Sequence, residues 1–299
     1  MQEFEAIERI RRRLPAPPPS QVWVGDDAAV LDGVDAPALV AADLVVAGVH
    51  ADLALVGLDD LGWKAVAVNV SDIAAMGGQP RYLVVSVAGP PGTDLDRLYD
   101  GVAGAAAAYG CDVVGGDLST AAVLVVAVTV VGEGGEGGRP PVLRSGAGAG
   151  DSIFVTGPLG ASAAGLRLLR SGHRHGPLVE VHRRPRARVA EGLAARGAGA
   201  TAMIDLSDGL GADLGHLLDQ SGVGAEVDYS AVPVAEGATP EEAWSGGEDY
   251  ELLFSAPGPP AAVAAAFSGA GLRIPVAVGR ITADVSRRPP PGGWQHSWS

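Results

Sequence analysis

Apolar residues at positions 4, 7, 10 and 14 (Phe4, Ile7, Ile10, Leu14) recur at helical spacing, and Pro15 ends that run. PAPPPS follows as a loop. Residues 38–46 (ALVAADLVV) and 81–88 (RYLVVSVA) read as strands, with a helix over 57–76 between them. A second helix is expected over 94–109, then strands at 111–115 and 121–132. GEGGEGGRPP at 132–141 is the most linker-like stretch, and it divides the chain into domains of residues 1–138 and 139–299. The second half predicts a strand at 151–157, a helix from about Gly160, and then a basic segment, HRHGPLVEVHRRPRARVA. A strand ending at Asp205, a helix from Ser207, a strand near 224–229 and a strand at 250–256 come next. A further helix and strand precede a Pro- and Gly-rich tail. Both halves are mixed α/β, and no short-period repeat is present.

Composition narrows the function. Hydrophobic residues make up 47% and charged residues 19% of the 299, so a sizeable core is expected. Aromatic residues are only 5%, so that core is built from Ala, Val and Leu. A formal net charge of -14 argues against sequence-independent nucleic-acid binding, which neutralises phosphates with Lys and Arg. Cys111 is the only cysteine, which excludes an internal disulfide or a thiolate metal cage and fits a cytoplasmic compartment. No apolar run approaches the ~20 residues of a membrane-spanning helix, and MQEFEAIERIRRRL is too charged for a secretory signal.

The acidic residues gather in short motifs. They are Gly25-Asp26-Asp27, Asp43, Asn69 with Asp72, Gly115-Gly116-Asp117, Asp205-Leu206-Ser207-Asp208-Gly209 and Gly246-Gly247-Glu248-Asp249. Most fall where a strand ends or a loop meets a helix. Hard cations such as Mg²⁺ take carboxylate oxygens from such places around a phosphate ligand. Each motif alone is also an ordinary turn or helix cap. Asn69 and Asp72 share a helix face that is otherwise apolar (Ala65, Val68, Ile73, Met76), so both need partners there.

Other phosphate chemistries fit worse. There is no G-x-x-x-x-G-K-[ST] loop, and the single lysine, Lys64, lies inside a predicted helix. The protein-kinase signatures are absent. The Gly-rich junction Thr156–Ser162 suits close packing better than anion binding. Cys111 reads as a buried structural residue. His173, His175 and His182 lie in the basic segment without metal-ligand spacing, and its arginines (Arg183, Arg184, Arg186, Arg188) read as a charged helix face.

In chain order, GDDAAVL, DLVVAGVH, KAVAVNVSDIAAMGG, YGCDVVGGD, LRSGAGAGDSIFVTGPLG, IDLSDGL and GGEDYELLF resemble the thiamine-monophosphate kinase family. That family belongs to the superfamily of aminoimidazole ribonucleotide synthetase, selenophosphate synthetase and the hydrogenase-maturation dehydratase. The resemblance spans about residues 4 to 281. It implies a two-domain α/β fold of the aminoimidazole ribonucleotide synthetase type, with the N-terminal sheet paired across a homodimer. It implies transfer of the ATP γ-phosphoryl group to thiamine monophosphate, giving thiamine diphosphate, with several Mg²⁺ ions. By motif, Asp27, Asp43, Asp72, Asp117, Asp205 and Asp208 would be magnesium ligands. Tyr99, Gly116, Asp117, Arg144 and Ser207 would contact ATP. His50, Glu248 and Trp294 would face the thiamine substrate.

The sequence departs from the pattern along one segment. Ala41 and Ala42 stand where the family has Ser or Thr, so hydroxyl ligation of metal is lost beside Asp43. Ala47 and Ala51 replace the family's Glu and Phe around His50. Selenophosphate synthetase is disfavoured because no cysteine–lysine pair occurs near the N-terminus, and the dehydratase because the tail reads SWS. Another superfamily enzyme acting on a related phosphorylated substrate, or an impaired nucleotide-binding paralogue, remains the alternative.

Overall fold

The computed structural model describes residues 19–20, 29–31, 37–135 and 138–294. The expected helix over residues 4–14, and Asp27, lie outside them. Two five-stranded sheets organise the rest. The first has the order β1-β2-β5-β3-β4, from β1 (Ala29–Leu31), β2 (Ala38–Val46), β3 (Gln79–Gly89), β4 (Asp112–Thr120) and β5 (Val125–Glu133). All its pairings are antiparallel except β3 with β4. Helices α1 (Leu58–Ala75) and α2 (Leu95–Tyr109) are its helical layer.

The second sheet has the order β7-β9-β6-β10-β8 and is antiparallel throughout. Its strands are β6 (Ser152–Val155), β7 (Ala202–Asp205), β8 (Gly224–Val227), β9 (Leu252–Ala256) and β10 (Val276–Thr282). Its helices are α3 (Ala161–Arg170), α4 (Pro177–Arg183), α5 (Val189–Gly197), α6 (Leu210–Ser221), α7 (Pro240–Ser245) and α8 (Pro260–Gly269).

Strand alternation and helical periodicity produce most of these elements; β1 is not anticipated, β5 starts at Val125 rather than 121 and β9 at Leu252 rather than 250, and three further differences follow. β4 continues to Thr120, five residues past the expected end, because Gly115 to Thr120 pair with Val84 to Gly89. Glycines have low intrinsic strand preference, so neighbouring backbone makes that strand. α6 begins at Leu210 rather than Ser207, because Gly209 takes φ 121, outside helical space. Helices α4, α5 and α7 were not separable in the sequence.

Helix α1 is the hinge of the architecture. It is buried over most of its length, including Leu61, Val66, Val70 and Ile73. Burying each such side chain stabilises the fold by about 1.5–3 kcal/mol. It meets α2 backbone to backbone: a Cβ on Gly62 would collide with the Leu98 carbonyl, and one on Gly101 with the Asp59 carbonyl. Only glycine permits that approach. Toward its C-terminal end, Ala74 and Ala75 pack with Phe154, Met203 and Phe254 of the second half. One helix is therefore shared by both cores.

The basic segment also bridges the halves. Arg184 pairs with Asp59 and Asp60, 2.6 Å to each, and its guanidinium lies 5.7 Å over the Trp63 ring. The Trp63 indole donates to the Pro185 carbonyl (2.9 Å), and Arg183 donates to the Leu55 carbonyl (3.0 Å). The expected solvated face is thus an inter-half clamp.

Candidate active site

The seam beside α1 collects side chains from both sheets. Asn69 accepts the backbone N–H of Asp43 at Oδ1 (2.7 Å), while its Nδ2 donates to the Ala65 carbonyl (2.8 Å). This satisfies the buried amide and fixes β2 at Asp43. Two residues on, the Ser71 hydroxyl donates to Asp205 Oδ2 (2.5 Å) at the end of β7. Asn69 and Ser71 thus tie aspartates of opposite halves to one turn of helix. Asp72 follows directly in the chain.

The loop before β9 completes the seam. Glu248 and Tyr250 take φ 66 and φ 50, the non-glycine residues with positive φ among those described. Such strain costs about 1–3 kcal/mol per residue and persists where surroundings hold it. Here the Glu248 N–H donates to the Ser207 carbonyl (2.8 Å), and the Tyr250 N–H to the Leu206 carbonyl (2.9 Å). The Glu248 carboxylate meets Lys64 Nζ, 3.0 Å from each oxygen. Lys64 is only 2% exposed, and Glu248 is 28% exposed. His182 Nδ1 lies 3.6 Å from Glu248 and 3.0 Å from the Ser162 hydroxyl. Burial, and then Lys64, push His182 down to about 4, so near neutral pH it is an uncharged neighbour of Glu248.

Electrostatics mark where charge accumulates. Burial raises the Tyr250 phenol well above its usual value, and Glu248, Asp205, Asp43 and Asp72 raise it further. Asp213, buried at the start of α6, is likewise raised by burial and then by Asp208 and Asp205. The N–H groups of Asp208 and Gly209 donate to Asp213 Oδ2 (3.1 and 3.0 Å) and oppose part of that shift. After burial, carboxylates of both halves thus act on Tyr250 (Glu248, Asp205, Asp43 and Asp72), and Asp208 and Asp205 act on Asp213.

Two supporting networks stand behind it. Asp249 accepts from the N–H groups of Gly160 (2.6 Å) and Ser162 (3.1 Å), so the Gly-rich junction is occupied by a carboxylate of the same chain. Burial raises Asp249 to about 6. Glu251 accepts from Arg188 (2.5 Å) and Thr156 (2.6 Å).

The remaining expected residues divide. His50 and Trp294 meet edge to face, 6.3 Å between ring centroids, and the Trp294 backbone N–H donates to the Asp208 carbonyl (3.1 Å). His50 Nδ1 accepts the Val46 N–H (2.9 Å). The Ser207 carbonyl lies in the loop contact with Glu248, and the Arg144 carbonyl accepts from Ser221 (3.2 Å). Tyr99 packs against the N-terminal core from α2. The sheet row containing Asp43 runs through Val128 and Val85 to Gly116. Asp117 falls in the next row, with Leu44, Ala127 and Ser86, and so lies on the opposite, outward face. Among the described residues no hydrogen bond or ion pair ties Tyr99 or Asp117 to the seam. Lys64, Ser71, Tyr250 and His182 belong to the seam without having been assigned a role from the sequence; a lone lysine on an apolar helix was the available signal.

Among the described residues no three His, Cys, Asp or Glu side chains form a ready metal cage. Mg²⁺ does not require one: it keeps several waters and takes one or two carboxylates plus phosphate oxygens. The carboxylates of the seam offer hard oxygens, and Tyr250 and Asp213, raised first by burial, are raised further by neighbouring carboxylate charge that a dication would relieve. The residues present fit magnesium.

Comparison with known proteins agrees with the architecture. Residues 25–133 match the AIR synthase related protein N-terminal domain, and residues 148–288 the C-terminal domain. Thiamine-monophosphate kinase of Mycobacterium tuberculosis is 38% identical over 274 residues, covering 86% of this chain and 81% of that protein. Thiamine-monophosphate kinase of Bacillus subtilis is 38% identical over 272 residues, covering 84% of this chain and 82% of that protein. The solved structure of AaThiL complexed with AMPPCP and TMP superposes with a TM-score of 0.87 at 33% identity, over 99% of this chain and 97% of that one.

Proposed function

The chain belongs to the thiamine-monophosphate kinase family, and we propose that it transfers the ATP γ-phosphoryl group to the phosphate of thiamine monophosphate, forming thiamine diphosphate. The observation that supports this reading is the turn of α1 whose Asn69 accepts the Asp43 N–H (2.7 Å) and whose Ser71 donates to Asp205 (2.5 Å), joining aspartates of two halves that match the family along their length.

The chemistry suits that set of residues. The attacking phosphate oxygen is already anionic near neutral pH, so no strong general base is needed. The obstacle is repulsion between two polyanions. Magnesium held by Asp43, Asp72, Asp205 and Asp208, with Asp27 and Asp117, would supply charge neutralisation. The protein's part in an in-line transfer is then positioning. Arg144, Ser207, Gly116 and Tyr99 would hold ATP. Glu248, with the His50–Trp294 pair, would hold the thiamine side, whose cationic ring suits a carboxylate and an aromatic face.

The N-terminal sheet supports a homodimer. Its outward face exposes the large apolar side chains of Leu44 on β2 and of Tyr82 and Val84 on β3, two strands flanking β5. Asp117 shares that face, so a second copy seated there would enclose it. We place the domain division at 138/139, within a connection from Glu133 to Ser152 that carries no strand or α-helix among the described residues. No helix among the described residues is long and apolar enough to cross a membrane. A cytoplasmic location is supported by the single, buried cysteine.

The test is direct. Folded protein with ATP, magnesium and thiamine monophosphate is expected to form thiamine diphosphate. ATP binding without formation of that product would refute the assignment.

A further inference from the structure

The Pro- and Gly-rich run after β10 has no role in the chemistry above, yet it leads to the seam and is tied down step by step. The Arg287 carbonyl accepts the Ala225 N–H of β8 (2.9 Å), and Arg288 pairs with Asp219 of α6. Pro289, Pro290 and Pro291 then fix three successive φ angles and stiffen the run. The Trp244 indole of α7 donates to the Pro290 carbonyl (3.3 Å). Gly292 lies flat against that indole: a Cβ there would stand 2.9 Å from the ring and 2.7 Å from the Ser245 hydroxyl. Gly293 takes φ 100, and a Cβ on it would stand 2.6 Å from the Ala212 side chain and 2.7 Å from the Asp208 carbonyl oxygen. Neither position has room for a side chain. The next residue is Trp294, whose N–H bonds the Asp208 carbonyl and whose ring meets His50 of the first half.

Trp294 is 47% exposed, so close packing does not set its ring; the backbone beneath it must. We propose that residues 287–294 are a strap in which Gly292 and Gly293 are positioning residues, acting through Trp294 by holding its ring against His50. The inference rests on the acceptor reading above, in which that aromatic pair holds the thiamine side. An aromatic face held in place before the ligand arrives loses less freedom on binding, so the strap raises affinity for the acceptor. None of the strap contacts involves a residue assigned above to ATP, so affinity for ATP is independent of it.

Gly293→Val and Gly292→Val each lift the strap, the second at a position whose Cβ would meet Trp244 and Ser245 rather than Asp208. Binding of thiamine monophosphate and of a non-hydrolysable ATP analogue is measured by calorimetry with magnesium, for the parent, each variant, Trp294→Ala, and each variant combined with Trp294→Ala. Each single variant is expected to weaken thiamine monophosphate by about ten-fold, the scale of one aromatic contact to a cationic ring, and the ATP analogue by less than about two-fold. Combined with Trp294→Ala, neither strap variant is expected to weaken thiamine monophosphate further, because the ring it positions is already gone. Additive losses, a parallel loss of the ATP analogue, or parent-like binding by Trp294→Ala or by both strap variants overturns the inference. A parent protein that binds no thiamine monophosphate refutes the acceptor assignment itself, and the inference falls with it.

Discussion

Lys64 donates to both carboxylate oxygens of Glu248, 3.0 Å to each, across the seam between the halves. The lysine is on α1 and the glutamate in the loop before β9. This pair therefore couples the position of Glu248, proposed above to face the acceptor, to the packing of the shared helix. Lys64→Met keeps the apolar stem and removes the charge. It is expected to raise the KM for thiamine monophosphate about ten-fold and to leave the KM for ATP nearly unchanged, since hydrogen bonds to charged groups are worth about 1.5–3 kcal/mol. Steady-state kinetics with each substrate varied in turn checks this. A parallel rise in both KM values would assign Lys64 to stability alone.

Two buried groups give opposed pH dependences. The folded-state value of His182 lies near 4, below the usual 6.5, so the unfolded chain binds its proton first. The stability this residue contributes is complete above about pH 6.5 and is lost as pH falls toward 4, to a total of about 3 kcal/mol. Asp249 lies near 6, above its usual 3.8, so its contribution runs the other way and is lost as pH rises through 6. The two slopes offset each other between about pH 4 and 6. His182→Gln removes one of them. Denaturant unfolding at pH 7 and pH 4.5 is expected to show the variant gaining on the parent as pH falls.

The close approach of α1 and α2 predicts an intolerant position. Gly62→Ala drives a methyl group into the Leu98 carbonyl, where backbone rather than a flexible side chain must move. A loss of about 1–3 kcal/mol is expected in urea unfolding. A neutral result would mean that the helices pack less tightly than described.

The outward face of the first sheet predicts assembly. Leu44→Glu puts a charge on the face that exposes Tyr82 and Val84, and is expected to convert a dimer into monomers by light scattering. A parent protein that is itself monomeric would contradict the proposed pairing.

The strands and most long helices were legible because their apolar positions alternate or recur at helical spacing. β2 was expected at 38–46 and spans those residues. The acidic motifs are legible as a set, and α1 ties two of their aspartates together, through Asn69 to the Asp43 N–H and through Ser71 to Asp205. The contacts that hold them are not. Ser71 reaches Asp205 over 134 residues, and Lys64 reaches Glu248 over 184, distances at which no local pattern speaks. The segment of α4 reads from the sequence as a charged, solvated helix face. In fact His182 is buried, and Arg183 and Arg184 clamp the first half. Asp117 was grouped with the other aspartates by motif, but strand register sets it on the outward face.

The convergence of carboxylates from both halves on one reaction is the central claim. It is tested by the initial rate of thiamine diphosphate formation against magnesium concentration, for the parent, Asp72→Asn and Asp205→Asn. One aspartate lies on the helix of the first half and the other on a strand of the second. The parent rate is expected to saturate with magnesium, and each variant to lose about a hundred-fold or more in kcat/KM, since electrostatic groups at a phosphoryl-transfer site carry such factors. Parent-like turnover by either folded variant would contradict a single centre built from both halves.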